Sequence, residues 1–405
     1  MKKNEEYIVT CIDDTDLNSG VVKIDDMVVF VPNLLIGEKA KIKIVKVNKK
    51  YAFGIIIELL KPSINRQELT CEVAKTCGGC QLQHMSYAYQ LDYKYKHVKK
   101  LFEDIEVKPI LGMDNPWYYR NKAQFPVKIK DGKVQMGFYR QHSNDVVTCK
   151  ECKIQDHVIN EVFSFIQKKI TLKMAQDLRH VFIRHSSTDE IQVVFIGKNE
   201  KNIISLSDQL KNTFANIKSI VFNYNTRNDN VILGDTYKVL YGNDSIIEEC
   251  LGNKVKLHFK AFFQVNPKQM EVLYSQAIKA ANLSGNETCI DMYAGTGTIG
   301  MAVSQHAKSV IGVEIVKEAV DNANDNTKMN HLDHCHYVCQ DATDFAHDHK
   351  EDKIDVIFID PPRKGMTENG IKDTITMQPD KIVYVSCNPK TLSRDLKIFK
   401  EYGYQ

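Results

Sequence analysis

The sequence predicts a multidomain α/β protein in three segments: a small β-barrel over residues 1–60, an α+β segment over 61–262 and a Rossmann-like α/β domain over 263–405. Three observations carry that reading. The first segment alternates apolar and polar positions, with turn residues at short intervals and no helical stripe. The middle holds several apolar strands, two of them around a tight Asp-Gly turn. The last is a series of short apolar strands ending in acidic or reactive residues, the first of which runs into a glycine turn and a helix. A length of 405 residues suits two or three domains.

In the first segment, VVKIDDMVVFVPNLLIGEKAKIKIVKVNKKYAFG has the period-two pattern of strands with one buried face. Lys39, Lys41 and Lys43 alternate with apolar residues, and Lys46, Lys49 and Lys50 follow, so one barrel face is expected to be lysine-rich and suited to a phosphate backbone. On charge alone an ordinary solvated face is the better explanation.

In the middle, residues 86–102 carry a helical stripe of Leu91, Tyr95, Val98 and Phe102, expected to pack into the core, with Lys94, Lys96, Lys99 and Lys100 mainly off it. NKAQFPVKIKDGKVQMGFYR reads as a hairpin turning at Asp131-Gly132. RHVFIRH, EIQVVFIG and KSIVFNYN add strands, and an antiparallel sheet with helices is expected.

The formal net charge is only +3, so any affinity for nucleic acid must come from local patches. The start MKKNEEYIVT lacks the apolar core of a secretory leader, and no run approaches the roughly eighteen apolar residues of a membrane span. A cytoplasmic, reducing setting with no membrane partner is expected. Eleven cysteines are then not a disulfide framework.

The last segment opens with TCIDMYAGTGTIG, in which Gly295, Gly297 and Gly300 have G-x-G-x-x-G spacing, a weak signal alone. The next strand, SVIGVEI, places Glu314 to accept hydrogen bonds from ribose hydroxyls. A nicotinamide enzyme would show the same pair. The later strand IDVIFIDPPR separates them, because an Asp360-Pro361-Pro362 end is not expected in a dehydrogenase. The strand ends at Asp291 and Tyr293, Glu314, Asp341 and Asp360, with Cys387 closing the series, resemble a class I methyltransferase. The resemblance implies S-adenosyl-L-methionine as cofactor, flanked by Tyr293 and Glu314, with Asp341 near the adenine amino group and Asp360 between donor and acceptor. It also implies that Gln264, in KAFFQVNP, closes over the cofactor.

Cys387 lies in Val385-Ser386-Cys387-Asn388-Pro389, where the apolar strand KIVYV ends. Most free cysteines merely pack as small hydrophobes. An electron-rich nitrogen or oxygen acceptor needs no nucleophile, whereas a pyrimidine C5 does: thiolate attack at C6 turns C5 into an enolate-like carbon that can take a methyl group. Arg363 stands where amino-group methyltransferases carry an aromatic residue, and no cysteine follows the DPP turn as it usually does in RNA cytosine-C5 enzymes. DPPRKG together with VSCNP resembles the RNA uracil-C5 methyltransferase family. That resemblance covers nearly the whole chain and implies Cys387 as nucleophile, with Asp360 and Arg363 orienting the base. It also implies a TRAM-type (OB-like) RNA-binding barrel at the front.

Cys71, Cys77 and Cys80 form C-x5-C-G-G-C, followed by Cys149 and Cys152 in TCKECKIQ. Four thiolates can hold zinc or an iron–sulfur cluster. Two C-x2-C knuckles, Cys77/Cys80 and Cys149/Cys152, would suit zinc and leave Cys71 over. The resemblance implies the other set: a [4Fe-4S] cluster on Cys71, Cys77, Cys80 and Cys152, with Cys149 spare, as in members that act on ribosomal RNA. Ribosomal RNA is therefore the expected partner of a monomer. The resemblance further implies two strands after the helix from Thr391 to Glu401, together with a glutamate that removes the C5 proton. The sequence stops at Gln405, so a shortened methyltransferase domain lacking its last two strands is expected. The competing class is a non-catalytic RNA-binding protein with a degenerate methyltransferase domain.

Overall fold

The computed structural model describes residues 1–350 and 352–405. They form two compact units, Met1–Pro116 with Phe138–Cys149, and Trp117–Gly137 with Lys150–Gln405.

The first unit is built on a six-stranded sheet in the order Glu6–Thr10, Lys39–Val47, Tyr51–Lys61, Met27–Pro32, Ser19–Ile24, Asp13–Asp14. After Thr10 the chain changes partner: Cys11 N donates to Glu38 O and Ile12 N to Val21 O, both at 2.9 Å. One continuous segment thus forms both edges, and the sheet closes into the expected barrel with no open edge. Alternation does the rest, since Val22, Val29, Val31, Ala40, Ile42 and Ile44 all point inward and are fully buried. The lysine face is less basic than expected, because Lys41 is paired with Glu6 at 2.8 Å.

Beneath the barrel, the fully buried Glu38 carboxylate accepts from Arg66 Nη2 at 2.6 Å and from the N–H groups of Leu35 at 2.9 Å and Ser63 at 3.0 Å. Burial alone would raise its pKa, but these donors hold it below the usual carboxylate range. The helix Tyr87–Lys99, capped by Ser86, packs differently from the expectation. Its deepest residue is Tyr93, whose hydroxyl donates to Thr15 O and accepts from Asn18 N, while Leu91, Tyr95 and Val98 are only half-buried. A tyrosine that can place its hydroxyl on backbone groups outcompetes the plain apolar stripe for the interior. Phe102, beyond the helix, is buried as expected.

In the second unit, the first sheet runs Tyr237–Gly242, Ile217–Tyr224, Ile191–Gly197, Leu178–His185, Lys122–Lys130, Lys133–Met136. The Asp131-Gly132 hairpin is present, with φ of +50° and +70° at its two central residues. The expectation of an antiparallel sheet needs correcting at one pair: Ile191–Gly197 and Ile217–Tyr224 run parallel, joined through the helix Ile204–Thr213. Ile191–Gly197 is buried along its whole length, as a two-face-covered parallel strand requires.

A two-stranded ribbon, Ser245–Cys250 with Asn253–His258, and the helix Pro267–Ala281 lead to a second sheet. Its five strands are all parallel: β1 Thr288–Met292, β2 Ser309–Glu314, β3 Cys335–Cys339, β4 Val356–Ile359 and β5 Lys381–Tyr384, in the order β3-β2-β1-β4-β5. Successive residues feed opposite cores: Cys289, Val310 and Phe358 one, Ile290, Val313 and Ile357 the other. Among the described residues no strand pairs the outer edge of β5, and no helix is long and apolar enough to cross a membrane.

Arg66→Ala should cost the barrel about 3 kcal/mol, the lower end for stripping one partner from a buried ion pair, because two N–H donors to Glu38 remain. Urea unfolding at pH 7 checks this. The difference from wild type should shrink as pH falls below the carboxylate range, since the Glu38 contribution is present above its unfolded pKa and lost on protonation.

Candidate functional site at the carboxyl edge of the second sheet

The order β3-β2-β1-β4-β5 reverses direction between β1 and β4, and in open α/β sheets the crevice outside such a switch point takes the ligand. Five of the expected site residues follow from that topology. Tyr293 comes directly after β1, Glu314 ends β2, Asp341 lies two residues beyond β3, Asp360 follows β4, and Cys387 lies three residues beyond β5.

The glycine turn is shaped from below by a residue the sequence reading missed. The ring of Tyr337, fully buried in β3, lies under the turn, and its hydroxyl donates to Gly297 O at 2.7 Å. A Cβ would come within 2.6 Å of that side chain at Gly297, 2.5 Å at Gly300 and 1.9 Å at Gly312. These glycines make room for an aromatic wedge. Gly312 inside an apolar strand was the available signal, because a strand glycine marks a close approach. Gly295 is different: at φ +56° its Cβ direction meets nothing within 4 Å, which leaves that side of the turn open to a ligand.

Glu314 is fixed rather than loose, its Oε2 accepting from Gly295 N at 3.0 Å and Oε1 from Val316 N at 2.9 Å. Each oxygen keeps a second acceptor position for a ribose hydroxyl. Asp341 is exposed and caps the helix Ala342–Asp348 through Thr343 N at 2.8 Å. Tyr293 is half-buried with φ +63°. Burial pushes the Asp360 carboxyl up to about 6. Burial also pushes Asp291 up to about 7, with the charges of Asp360 and Glu314 adding, against a hydrogen bond from Gly300 N at 2.8 Å to its Oδ2. Its buried Oδ1 has no hydrogen-bond partner. An acid-rimmed crevice with an open glycine fits a nucleoside carrying positive charge, as a sulfonium amino acid does.

Cys387 is exposed on a turn closed by Ser386, whose hydroxyl accepts from Asn388 N at 3.1 Å. Asn388 caps the helix Pro389–Glu401 and donates from Nδ2 to Arg363 O at 3.3 Å, and Thr391 Oγ1 reaches the same carbonyl at 3.5 Å. The thiol turn and the DPPR loop are therefore tied side by side. Gln264, half-buried, lies between the ribbon and the helix Pro267–Ala281, whose Tyr274 hydroxyl lies 3.4 Å from Thr298 Oγ1 just past the glycine turn. Two residues before Gln264, Phe262 is 67% exposed. Lys122 Nζ sits 5.9 Å from both the Phe262 and Phe182 ring centres, and burial, helped by Arg184 and Arg120, pushes it down to about 8. Sequence reading did not single out Lys122 or Phe262.

Residues 71–80 form an irregular loop pinned to the Phe138–Tyr139 strand by Gly78 N to Tyr139 O at 2.9 Å. Cys77 Sγ accepts from Gly79 N at 3.4 Å; burial pushes its thiol up, and Cys71 adds to the shift. Cys80 and Cys152 are half-buried, and Cys152 N donates to Asn160 Oδ1 at 2.8 Å. No disulfide joins any of the eleven cysteines. Among the described residues no three His, Cys, Asp or Glu side chains are disposed to hold a metal ion.

The proton bound by Asp291 stabilises the ligand-free fold below about pH 4, and that contribution is lost as pH rises through about 7. Asp291→Asn keeps an acceptor for Gly300 N. Its melting temperature should fall less than that of wild type between pH 5 and pH 8, as thermal denaturation without ligand would read.

Known proteins align with this arrangement. A family model described as tRNA (uracil-5-)-methyltransferase matches residues 86–402, and a TRAM domain model matches residues 3–57. An uncharacterized RNA methyltransferase of Halalkalibacterium halodurans is 41% identical over 428 residues, taking in 100% of this chain and 93% of that protein. One of Clostridium tetani is 38% identical, over 100% of this chain and 92% of its own length. The crystal structure of Pyrococcus abyssi tRNA (uracil-54, C5)-methyltransferase with S-adenosyl-L-homocysteine overlays with a TM-score of 0.75 at 26% identity, over 96% of this chain and 92% of that one. S-adenosylmethionine is thus the methyl donor that the fold takes, and RNA is the class of partner. The chain belongs to the tRNA (uracil-5-)-methyltransferase family and is an RNA (uracil-5-)-methyltransferase with an N-terminal TRAM domain.

Proposed function

We propose that the protein methylates C5 of a uridine in 23S ribosomal RNA through a covalent bond between Cys387 Sγ and C6 of the base. The observation that carries this is the tie between the thiol turn and the DPPR loop through Asn388, Thr391 and the Arg363 carbonyl, which opens Cys387 and Asp360 on the same edge of the sheet. The target uridine is flipped out of its stack, because C6 is otherwise out of reach. The Cys387 thiolate adds to C6, and the C5–C6 π electrons move into an enolate spanning C5 and O4. C5 of the enolate takes the methyl group from S-adenosylmethionine, which Tyr293, Glu314, Asp341 and Gln264 would hold; the S–CH3 bond breaks and its electron pair stays on sulfur, leaving S-adenosylhomocysteine. With the new C5–CH3 bond made, a base takes the C5 proton, the C5–C6 double bond re-forms and the thiolate leaves. Asp360 and Arg363 orient the uracil edge. Asp360, pushed up to about 6, can present either a proton or a lone pair to it near neutrality.

The three segments keep separate tasks on this reading: 1–60 grips RNA, 61–262 carries the cysteine loop and 263–405 does the chemistry. The ribosomal target rests on the barrel and the cluster cysteines. Transfer RNA is the second reading, favoured by the Pyrococcus abyssi overlay, which takes in 96% of this chain and whose protein acts on tRNA. The donors Cys71, Cys77, Cys80 and Cys152 suit a [4Fe-4S] cluster in kind, being soft thiolates of which Cys77 already accepts a backbone N–H. Zinc is the alternative.

Incubation with labelled S-adenosylmethionine and unmodified 23S or transfer RNA should give 5-methyluridine in the 23S RNA. RNA carrying 5-fluorouridine should trap a protein–RNA band that Cys387→Ala abolishes while RNA affinity stays within about twofold. Methylation of transfer RNA alone would sink the ribosomal target, and turnover by Cys387→Ala would sink the covalent mechanism. Anaerobically purified protein should contain iron and sulfide with the broad visible absorbance of a cluster, lost in Cys77→Ser. Stoichiometric zinc without iron would reverse that assignment.

A further inference from the structure

We propose that Phe30, Tyr51 and Phe53 form a platform on the outer face of the barrel on which unpaired RNA bases stack. The strands Met27–Pro32 and Tyr51–Lys61 run parallel, with Val28 opposite Tyr51, Val29 opposite Ala52 and Phe30 opposite Phe53. Val29, Val31 and Ala52 fill the barrel core, so the alternate positions, including all three aromatics, face outward. The rings meet one another with centres 5.8 Å apart for Phe30–Tyr51, 5.9 Å for Phe30–Phe53 and 5.5 Å for Tyr51–Phe53. Tyr51 is 40% exposed, both phenylalanines are half-buried, and Ile55 beside them is 47% exposed. Three aromatic rings gathered on a solvent face do nothing for the core beneath them.

Charge selects the partner. Lys46 is opposite Phe53, Lys49 and Lys50 lead into Tyr51, and Lys23 is opposite Val28; all four are exposed. The expected phosphate face at Lys39–Lys43 is weakened by Glu6 on Lys41, so the basic character concentrates at the aromatic end. An aromatic patch rimmed by lysines takes a polyanion that carries flat apolar faces. Bases of a duplex already stack on one another and double-stranded RNA is read through phosphates and 2′-hydroxyls, whereas a single strand offers its base faces. The inference rests on RNA being the partner and adds that the barrel holds unpaired nucleotides.

The test uses the full chain and a labelled ten-nucleotide RNA without uridine, read by fluorescence anisotropy, so that no methylation site is offered. Tyr51→Leu and Phe53→Leu should each weaken binding on the order of tenfold, with an unchanged salt slope. Tyr51→Trp, which keeps a stacking face, should bind within twofold of wild type. Lys46→Ala and Lys50→Ala should each lower the salt slope by about one. The same strand annealed to a DNA complement should bind more weakly. Leucine variants that bind as wild type does, a tryptophan variant as weak as leucine, or a duplex as tight as the single strand would overturn the platform. Methyl transfer to RNA by the wild type is measured alongside: intact transfer with unchanged leucine affinities removes the platform alone. Neither binding nor transfer by the wild type removes the reading beneath it as well.

Discussion

The carboxylate of Asp395 holds the reactive half of the site in register. It is fully buried and accepts from three separate pieces of the chain: Met366 N at 2.9 Å, in the loop after β4; the Tyr384 hydroxyl at 2.6 Å, in β5; and Arg394 Nη2 at 2.6 Å, in the final helix. Arg394 then donates to the carbonyls of Lys364 and Met366, each at 3.0 Å. A buried charge with a partner removed costs roughly 3–5 kcal/mol, so these contacts form or fail together. Gly365 completes the arrangement, since at φ +73° its Cβ would lie 2.5 Å from Asp395 Oδ2. The loop carrying Asp360 and Arg363 and the turn carrying Cys387 consequently behave as one rigid part. Under the proposed mechanism rigidity matters, because a nucleophile displaced by about 1 Å can lose two orders of magnitude in rate.

The other half of the site gathers acidic groups, two of them desolvated by burial. Asp291, Glu314, Asp341 and Asp360 gather at one sheet edge because each lies near the end of a parallel strand or just past it. Glu314 is compensated by two backbone N–H groups, but Asp291 keeps an unpartnered buried oxygen and Asp360 is shifted upward by burial alone. The ligand-free fold carries that cost. A positively charged donor in the crevice would favour the ionised forms of Asp291 and Asp360, so its affinity and their protonation would be linked.

That edge was legible in the sequence because each strand of a parallel sheet is a short apolar run with its candidate site residue at or just past the end. Tyr293, Glu314, Asp341, Asp360 and Cys387 could each be located by counting from such a run. The barrel was legible for a related reason, as Ala40, Ile42 and Ile44 alternate against lysines. What could not be read was whatever depends on a distant neighbour. Nothing local marks Tyr337 as the wedge that dictates three glycines, or Asp395 as the meeting point of three segments. Tyr93 outranks the Leu91–Tyr95–Val98 stripe only because Thr15 and Asn18 are there to receive its hydroxyl. The parallel pair in the middle sheet depends on a crossover whose return direction the strand pattern does not record.

The proposed mechanism includes base flipping, which sets a requirement that the catalytic half cannot meet unaided. Extruding a nucleotide costs a few kcal/mol, and this cost is met by binding energy gathered elsewhere on the substrate. With a formal net charge of only +3, long-range attraction to phosphate is a weak source. Binding at the barrel would then draw on local contacts, the exposed lysines at the aromatic end and stacking on the proposed aromatic platform. An RNA already unpaired near its target also loses less stacking when the uridine leaves the helix. The same property, local single-strandedness, would therefore favour capture by the barrel and chemistry at Cys387, so selectivity for an open RNA segment requires no base-specific reading by either part.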